Sequence, residues 1–340
     1  MENQSMIDFK LLEKILRENN SFLITSHVNP DADALGSELA FYYILLHLGK
    51  KARIVNYSET PYYIDFLDEA NVIEKYDEQK HIDIFNEHDV LVAVDFNRAC
   101  RIIKMENAFR NSNKLKICID HHEDAEEFVD HLFIDTSYSA TGQIIYDFIN
   151  FTGIAPVTLP IANNLYAAIM TDTGSFRFDR TTPEVHRIAA HLLEIGVNPQ
   201  YIYNKIYDES KPGKVKLLGA SINSLEIFGD ENKLAVMTIM QSDLDSTGAL
   251  ETETDGFVNL CMSIENVKMG MLFLELKDGF KVSLRSKGEL SVHKFASEFG
   301  GGGHRNASGI RFRNNTLEEM RIFLIEKAKK YLNNNRGSNV

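Results

Sequence analysis

The chain has 340 residues, 44% of them hydrophobic and 25% charged, the make-up of a soluble globular protein long enough for two cores. Its net charge of −13 argues against a ligand as long and anionic as duplex nucleic acid. It has no apolar run of the ~20 residues needed to cross a bilayer, so no membrane partner is expected.

Met6–Arg17 carries Ile7, Leu11, Leu12 and Ile15 at helical spacing and predicts an amphipathic helix. Short apolar runs at 21–25, 52–55, 90–94, 115–119 and 132–134 predict strands, and helical patterns separate most of them. That alternation predicts an α/β fold whose N-terminal domain is a mainly parallel sheet flanked by helices. Helices are expected over Ala140–Phe151, Pro160–Met170 and from Thr182 to about Ile195, where Gly196 is a stop signal. The stretch Asn198–Ser224 reads as helical with a break at Lys211-Pro212-Gly213.

Beyond it, strands are expected at 234–240, 269–276, 280–284 and 308–312, and helices at 291–299 and 317–332. Asp278-Gly279 between two strand patterns is a hairpin signal. The expected organisation is a first domain over 1–195, a linking helical region over 196–214 and a smaller α/β domain over 215–340. The polar end 333–340 reads as frayed.

The start of the chain lacks a basic region followed by an apolar one, so no secretory signal is expected. Cys100, Cys118 and Cys261 are odd in number and widely spaced, which fits reduced thiols in the cytoplasm. Charge is uneven along the chain. Residues 281–340 hold 12 Lys and Arg against 5 Asp and Glu, a net +7 that leaves −20 on the first 280. An acidic first part suits a cation site built from carboxylates, and a basic end suits a phosphorylated substrate.

The densest chemistry follows the first predicted strand. Ser26-His27-Val28-Asn29-Pro30-Asp31-Ala32-Asp33 places one imidazole and two carboxylates in a turn between a strand and a helix. In open α/β sheets ligands bind at the carboxyl ends of strands. Asp95 ends the run Val90–Val94, Asp120, His121 and His122 follow Leu115–Ile119, and Asp172 follows Leu165–Met170. Four acidic or imidazole clusters placed after hydrophobic elements predict one hard-metal site. Asn97 and Arg98 follow Asp95 and are expected to reach the site. His131, His186 and His191 have no such context and read as structural or exposed.

The chain resembles the DHH phosphoesterase superfamily, named for the triplet that stands here as Asp120-His121-His122. The segment Gly300-Gly301-Gly302-Gly303-His304-Arg305-Asn306-Ala307-Ser308-Gly309 resembles the glycine-rich signature of that family's DHHA1 domain, and Ser283-Leu284-Arg285-Ser286 resembles one of its strands. The two-domain layout is most similar to the nanoRNase and pAp-phosphatase (NrnA-like, RecJ-related) group, a resemblance that implies an active site in the cleft between the two domains.

The resemblance implies two divalent ions, the first held by His27 and Asp31, the second by Asp33, His121 and Asp172, with Asp95 bridging. The all-nitrogen-and-oxygen donor set suits Mn²⁺, with Mg²⁺, Co²⁺ or Zn²⁺ also compatible. Asp120 is expected to hold His121 in its productive tautomer, and His122 to contact phosphate or aid proton transfer. The glycine run, Gly302 and Gly303 included, is expected to bring backbone amides to a phosphate. His304, Arg285 and Arg305 are expected to bind substrate, Arg285 as a fork on a terminal phosphate.

The activity so implied is Mn²⁺-dependent hydrolysis of very short oligoribonucleotides and of the 3′-phosphate of adenosine 3′,5′-bisphosphate. Short single-stranded RNA, dinucleotides and nucleoside bisphosphates are then the expected partners. Alternatives are hydrolysis of cyclic di-AMP or of its linear dinucleotide product, and a nucleotide sensor without turnover. A homodimer is left open.

Overall fold

The computed structural model describes residues 7–229, 231 and 233–334. Two compact units divide at Glu209 and Ser210. Residues 1–6, where the first predicted helix begins, and 335–340 of the polar end lie outside the described residues.

In the first unit six strands form one all-parallel sheet: β1 (Ser21–Thr25), β2 (Lys51–Asn56), β3 (Ile73–Lys75), β4 (Val90–Val94), β5 (Leu115–Asp120) and β6 (His131–Ile134). Their order is β3-β2-β1-β4-β5-β6. The order reverses between β1 and β4, which is the switch point where open parallel sheets hold ligands. Central β4 is buried along its whole length, as a strand covered on both faces must be.

Alternation along the strands separates two cores. Phe22, Ile24, Val90, Val92 and Val94 pack on one face and Leu23, Leu91 and Ala93 on the other. The first face is covered by α1 (Phe9–Glu18), α2 (Ala32–His47), α5 (Thr141–Thr152) and α6 (Leu159–Asp172). The shorter α3 (Ile84–Glu87) and α4 (Glu106–Asn111) lie in chain order between them, and α7 (Pro183–Ile195) and α8 (Pro199–Tyr203) follow. Helices α2 and α6 touch closely. A Cβ on Gly36 would lie 2.4 Å from the Asn164 carbonyl oxygen, so only glycine permits this approach.

The second unit opens with α9 (Pro212–Asn223), β7 (Glu226–Phe228), β8 (Leu234–Ile239) and α10 (Gln241–Thr247). Then come β9 (Met269–Leu276), β10 (Gly279–Ser286), α11 (Val292–Ser297), β11 (Gly302–His304), β12 (Ala307–Arg313) and α12 (Leu317–Asn334). The strands form a second sheet, β11-β12-β10-β9-β8-β7, antiparallel except for β8 beside β9. Residues Phe280, Val282 and Leu284 pack against Leu324, Ile325 and Ala328 of α12.

Three short strands, β3, β7 and β11, carry no periodic signal in the sequence. Each has three residues and pairs with one neighbour only, so backbone pairing rather than side-chain pattern defines it. The break expected at 211–213 is shifted. Pro212 is the first residue of α9, a position where its missing N–H costs nothing, and the chain leaves helical geometry just before it. Among the described residues no helix is long and apolar enough to cross a membrane.

Candidate metal centre

Six groups from five loops or helix ends meet at the carboxyl edge of the first sheet. Asp31 caps α2, its Oδ1 accepting the N–H groups of Asp33 and Ala34 at 3.1 and 3.0 Å, as an N-cap aspartate does. Its Oδ2 then lies 4.0 Å from His27 Nε2. Asp95, just past β4, takes a left-handed backbone with φ 63°. Such a conformation is strained for a residue with a side chain and is tolerated where the surroundings over-determine it.

Asp95 stands between two histidines. Its Oδ2 is 3.5 Å from His27 Nε2 and its Oδ1 is 3.7 Å from His121 Nε2. His121 Nε2 also lies 3.5 Å from Asp33 Oδ2 and 3.3 Å from Asp172 Oδ2. Both histidines are oriented from behind. His27 Nδ1 is 3.0 Å from the Val28 carbonyl and His121 Nδ1 is 3.3 Å from the Tyr138 carbonyl. A carbonyl only accepts, so in each ring Nδ1 carries the hydrogen and Nε2 faces the carboxylates.

A second layer fixes the carboxylates. The first amides of α5 point at Asp33, Thr141 N donating to Oδ2 at 2.8 Å and Gly142 N to Oδ1 at 2.9 Å. The Ser37 hydroxyl adds a bond to Asp33 Oδ1 at 3.1 Å, and the Thr141 hydroxyl donates to Asp95 Oδ1 at 2.7 Å. Thr141, Gly142 and Ser37 escape a search for metal-ligand residue types. Their sequence signal is only that of a helix start and a small residue one turn after Asp33.

The electrostatics are those of an anionic pocket. Burial, with Asp172 nearby, pushes Asp33 up to about 7. Burial and the neighbouring carboxylates Asp33 and Asp31 raise Asp95 well above the carboxylate range. Burial opposes the proton on His121, yet the hydrogen bond and charge of Asp172 and the charge of Asp33 hold it up to about 9. Burial, helped by Arg101, lowers His27 to about 4. Asp33, Asp95 and His121 thus hold protons more tightly than the free groups do, and a divalent cation would displace those protons. The donor set is imidazole and carboxylate without thiolate. His27, Asp31 and Asp95 offer atoms within 4.8 Å of one another, and so do Asp33, His121 and Asp172. The residues fit two hard or borderline divalent ions.

The chain matches the model of the DHH family, N-terminal domain, over residues 21–171, and that of the DHHA1 domain over residues 231–334. It is 30% identical over 325 residues to the bifunctional oligoribonuclease and PAP phosphatase NrnA of Thermus thermophilus, covering 95% of this chain and 94% of that protein. The Bacillus subtilis protein of the same name is 27% identical, over 85% of this chain and 88% of its own. The crystal structure of an exopolyphosphatase-related protein from Bacteroides fragilis superposes with a TM-score of 0.88 at 29% identity, covering 97% and 99% of the two chains.

The chain belongs to the DHH/DHHA1 phosphoesterases. It is a hydrolase of the NrnA-like group.

The triplet that names the DHH family departs from expectation in one respect. Asp120 Oδ1 lies 2.7 Å from His122 Nδ1, so Asp120 orients His122 and the Tyr138 carbonyl orients His121. β5 ends at Asp120, and the loop beyond it turns His122 back onto the Asp120 carboxylate. The charge and hydrogen bond of His122 outweigh burial and lower Asp120 below its ordinary value. Asn97 braces the loop after the triplet, its amide donating to the carbonyls of His122 and Glu123 at 3.0 and 3.1 Å. Arg98 donates to the Asp124 carbonyl at 3.2 Å. Cys118 is buried, His186 stacks on Phe176, and His191 Nδ1 lies 2.7 Å from the Tyr146 hydroxyl.

In the DHHA1 unit the glycine run is part of a hairpin. Gly302, Gly303 and His304 pair with Gly309, Ser308 and Ala307. Gly303 has φ 134° and a Cβ there would lie 2.5 Å from the Ala307 carbonyl oxygen, so the hairpin itself demands glycine. Gly302 has open space where its Cβ would be; the fold places no such demand on it. Arg285, on β10, donates through Nε to Asn259 Oδ1 at 3.1 Å and through Nη1 to the Leu284 carbonyl at 3.0 Å. Arg305 pairs with the Glu289 carboxylate and donates to the Glu289 carbonyl at 3.0 Å, an ion pair at the surface.

Proposed function

We propose that this chain is a two-metal, Mn²⁺-dependent phosphohydrolase that degrades short oligoribonucleotides and removes the 3′-phosphate of adenosine 3′,5′-bisphosphate. The observation that carries the metal reading is Asp95, whose two oxygens each face a different histidine. The substrate class rests on similarity to the NrnA proteins of T. thermophilus and B. subtilis, named for both activities.

In this mechanism His27 and Asp31 would hold one ion, Asp33, His121 and Asp172 the other, and Asp95 would serve both. A pair of divalent cations supplies Lewis acidity toward phosphoryl oxygens and a nucleophile at neutral pH. The chain's own part is to keep the donors fixed and the imidazoles in one tautomer. His122, pinned by Asp120 through Nδ1, gives a proton from Nε2 to the departing ester oxygen. Arg285, His304 and the amide of Gly302 receive the substrate phosphate.

The test is turnover by the Mn²⁺-loaded protein of adenosine 3′,5′-bisphosphate, a linear RNA dinucleotide and cyclic di-AMP. Hydrolysis of the first two, lost in Asp95→Ala, is the expected result. Hydrolysis of the cyclic compound alone would move the substrate to second messengers and leave the metal chemistry in place.

A further inference from the structure

Behind His27 lies a set of buried polar groups that bind no ion and fill no role in the mechanism above. Glu38 of α2 and Ser26 are fully buried, and Asn56, the last residue of β2, is 1% exposed. The Asn56 side chain accepts the Ser26 N–H through Oδ1 at 2.9 Å and donates through Nδ2 to Glu38 Oε1 at 2.6 Å. A backbone N–H can only donate, so this bond fixes which end of the amide faces Ser26 and leaves Nδ2 for Glu38. The orientation of Asn56 is therefore determined from both sides.

Ser26 precedes His27. On the other side, Val28 N donates to the Arg101 carbonyl at 2.8 Å. The backbone carrying His27 is thus tied down one residue before and one residue after, once by a side chain from β2 and once by the loop beyond β4. Burying a carboxyl without a cationic partner is costly, and an apolar pair would pack helix on strand without that cost. The second ligand group has its own support, the α5 amides and Ser37 on Asp33, and shares no atom with the Glu38–Asn56 pair.

We propose that Asn56, held by Glu38, is a positioning residue for His27 and sets the first of the two cation positions independently of the second. This rests on the two-metal reading of the site.

The experiment is titration of the metal-free full chain with Mn²⁺, following free Mn²⁺ by electron paramagnetic resonance, with thermal melting alongside. Wild type is expected to take up two ions. Asn56→Ala should keep one at wild-type affinity and bind the other roughly 10- to 100-fold more weakly, the usual effect of losing a group that orients a ligand. Glu38→Gln, whose amide oxygen still accepts from Asn56, should retain both ions. Glu38→Leu should weaken the same ion as Asn56→Ala and serves in its place if that variant does not fold. Adding Asn56→Ala to His27→Ala should cost no further affinity at that position, whereas adding Asp172→Ala to Asn56→Ala should impair both positions.

Two tight ions in both Asn56→Ala and Glu38→Leu, or equal weakening of both ions, would overturn the proposal. A wild-type protein that takes up no Mn²⁺ would overturn the two-metal reading, and this inference with it. The two failures are told apart by the wild-type curve alone.

Discussion

The two six-stranded sheets gather their functional residues in opposite ways. The parallel sheet of the DHH unit collects His27, Asp95 and His121 after neighbouring strands, because every strand ends on the same edge. These groups are 5% exposed or less. The mixed sheet of the DHHA1 unit sends strand ends to both edges, and its candidate residues lie along β10 and on the β11–β12 hairpin, partly exposed and already engaged by neighbours. The difference shows where geometry is decisive. Buried carboxylates facing one another fit a cation, whereas half-exposed arginines with protein partners leave their ligand to experiment.

The largest expected effect falls on the buried side of this comparison. Asp95→Ala should lower turnover by roughly 10³-fold or more, as loss of a central charge-stabilising group does. The same site makes an opposite forecast for stability. In metal-free protein Asp95→Asn should melt higher than wild type, since it removes one of several buried carboxylates that raise one another's proton affinity. A lower melting temperature would show that Asp95 is held chiefly by its hydrogen bond to Thr141.

Asp120→Asn comes next. It should cost about 10²-fold in kcat with both Mn²⁺ ions retained, because the group it orients is His122 and not a ligand. Loss of an ion in that variant would return Asp120 to His121 and break the assignment. On the DHHA1 side Arg285→Ala should raise KM for adenosine 3′,5′-bisphosphate about 10- to 100-fold, equal to roughly 1.5–3 kcal/mol for charge-assisted hydrogen bonds, while kcat changes little. An unchanged KM would leave Arg285 as a brace for Asn259.

The smallest effect is at the edge of the parallel sheet. Burial opposes ionisation of Glu74, but hydrogen bonds from Lys80, Arg53 and His81 outweigh it and lower it to about 2. A depressed carboxylate adds stability above its unfolded value of 4.5 and loses it as pH falls through about 2. Wild type should therefore exceed Glu74→Gln in stability at pH 7 and match it near pH 2. The pair is partly solvated, so the gap should be only about 1 kcal/mol. Equal melting temperatures at pH 7 would show that solvent screens the cluster fully.

Much of this was legible in the residues before any coordinates. The long strands of both sheets were, because apolar runs such as Val90–Val94 announce burial on both faces. So were the six candidate ligands, because Asp and His directly after such runs have few structural uses. What escaped were features that exist only between chain segments. The edge strands at 73–75, 226–228 and 302–304 depend on a partner's backbone. Thr141 and Asn56 matter through the atoms they meet, 46 and 30 residues away. The partner of Asp120 turned on the path of the loop after β5, which the triplet's spelling does not display.

The strand order has a consequence for how the protein comes into being. His27 stands early in the chain, Asp95 and His121 follow along the sheet, and Asp172 closes α6. A nascent chain that has not yet released residue 172 has no complete second cation position, however well its first strands have paired. Helix α6 must also seat against Gly36 before Asp172 can face His121. The proposed metal centre would thus be a late event in the synthesis of its own domain, and an ion bound there would report that the first 172 residues have found their places.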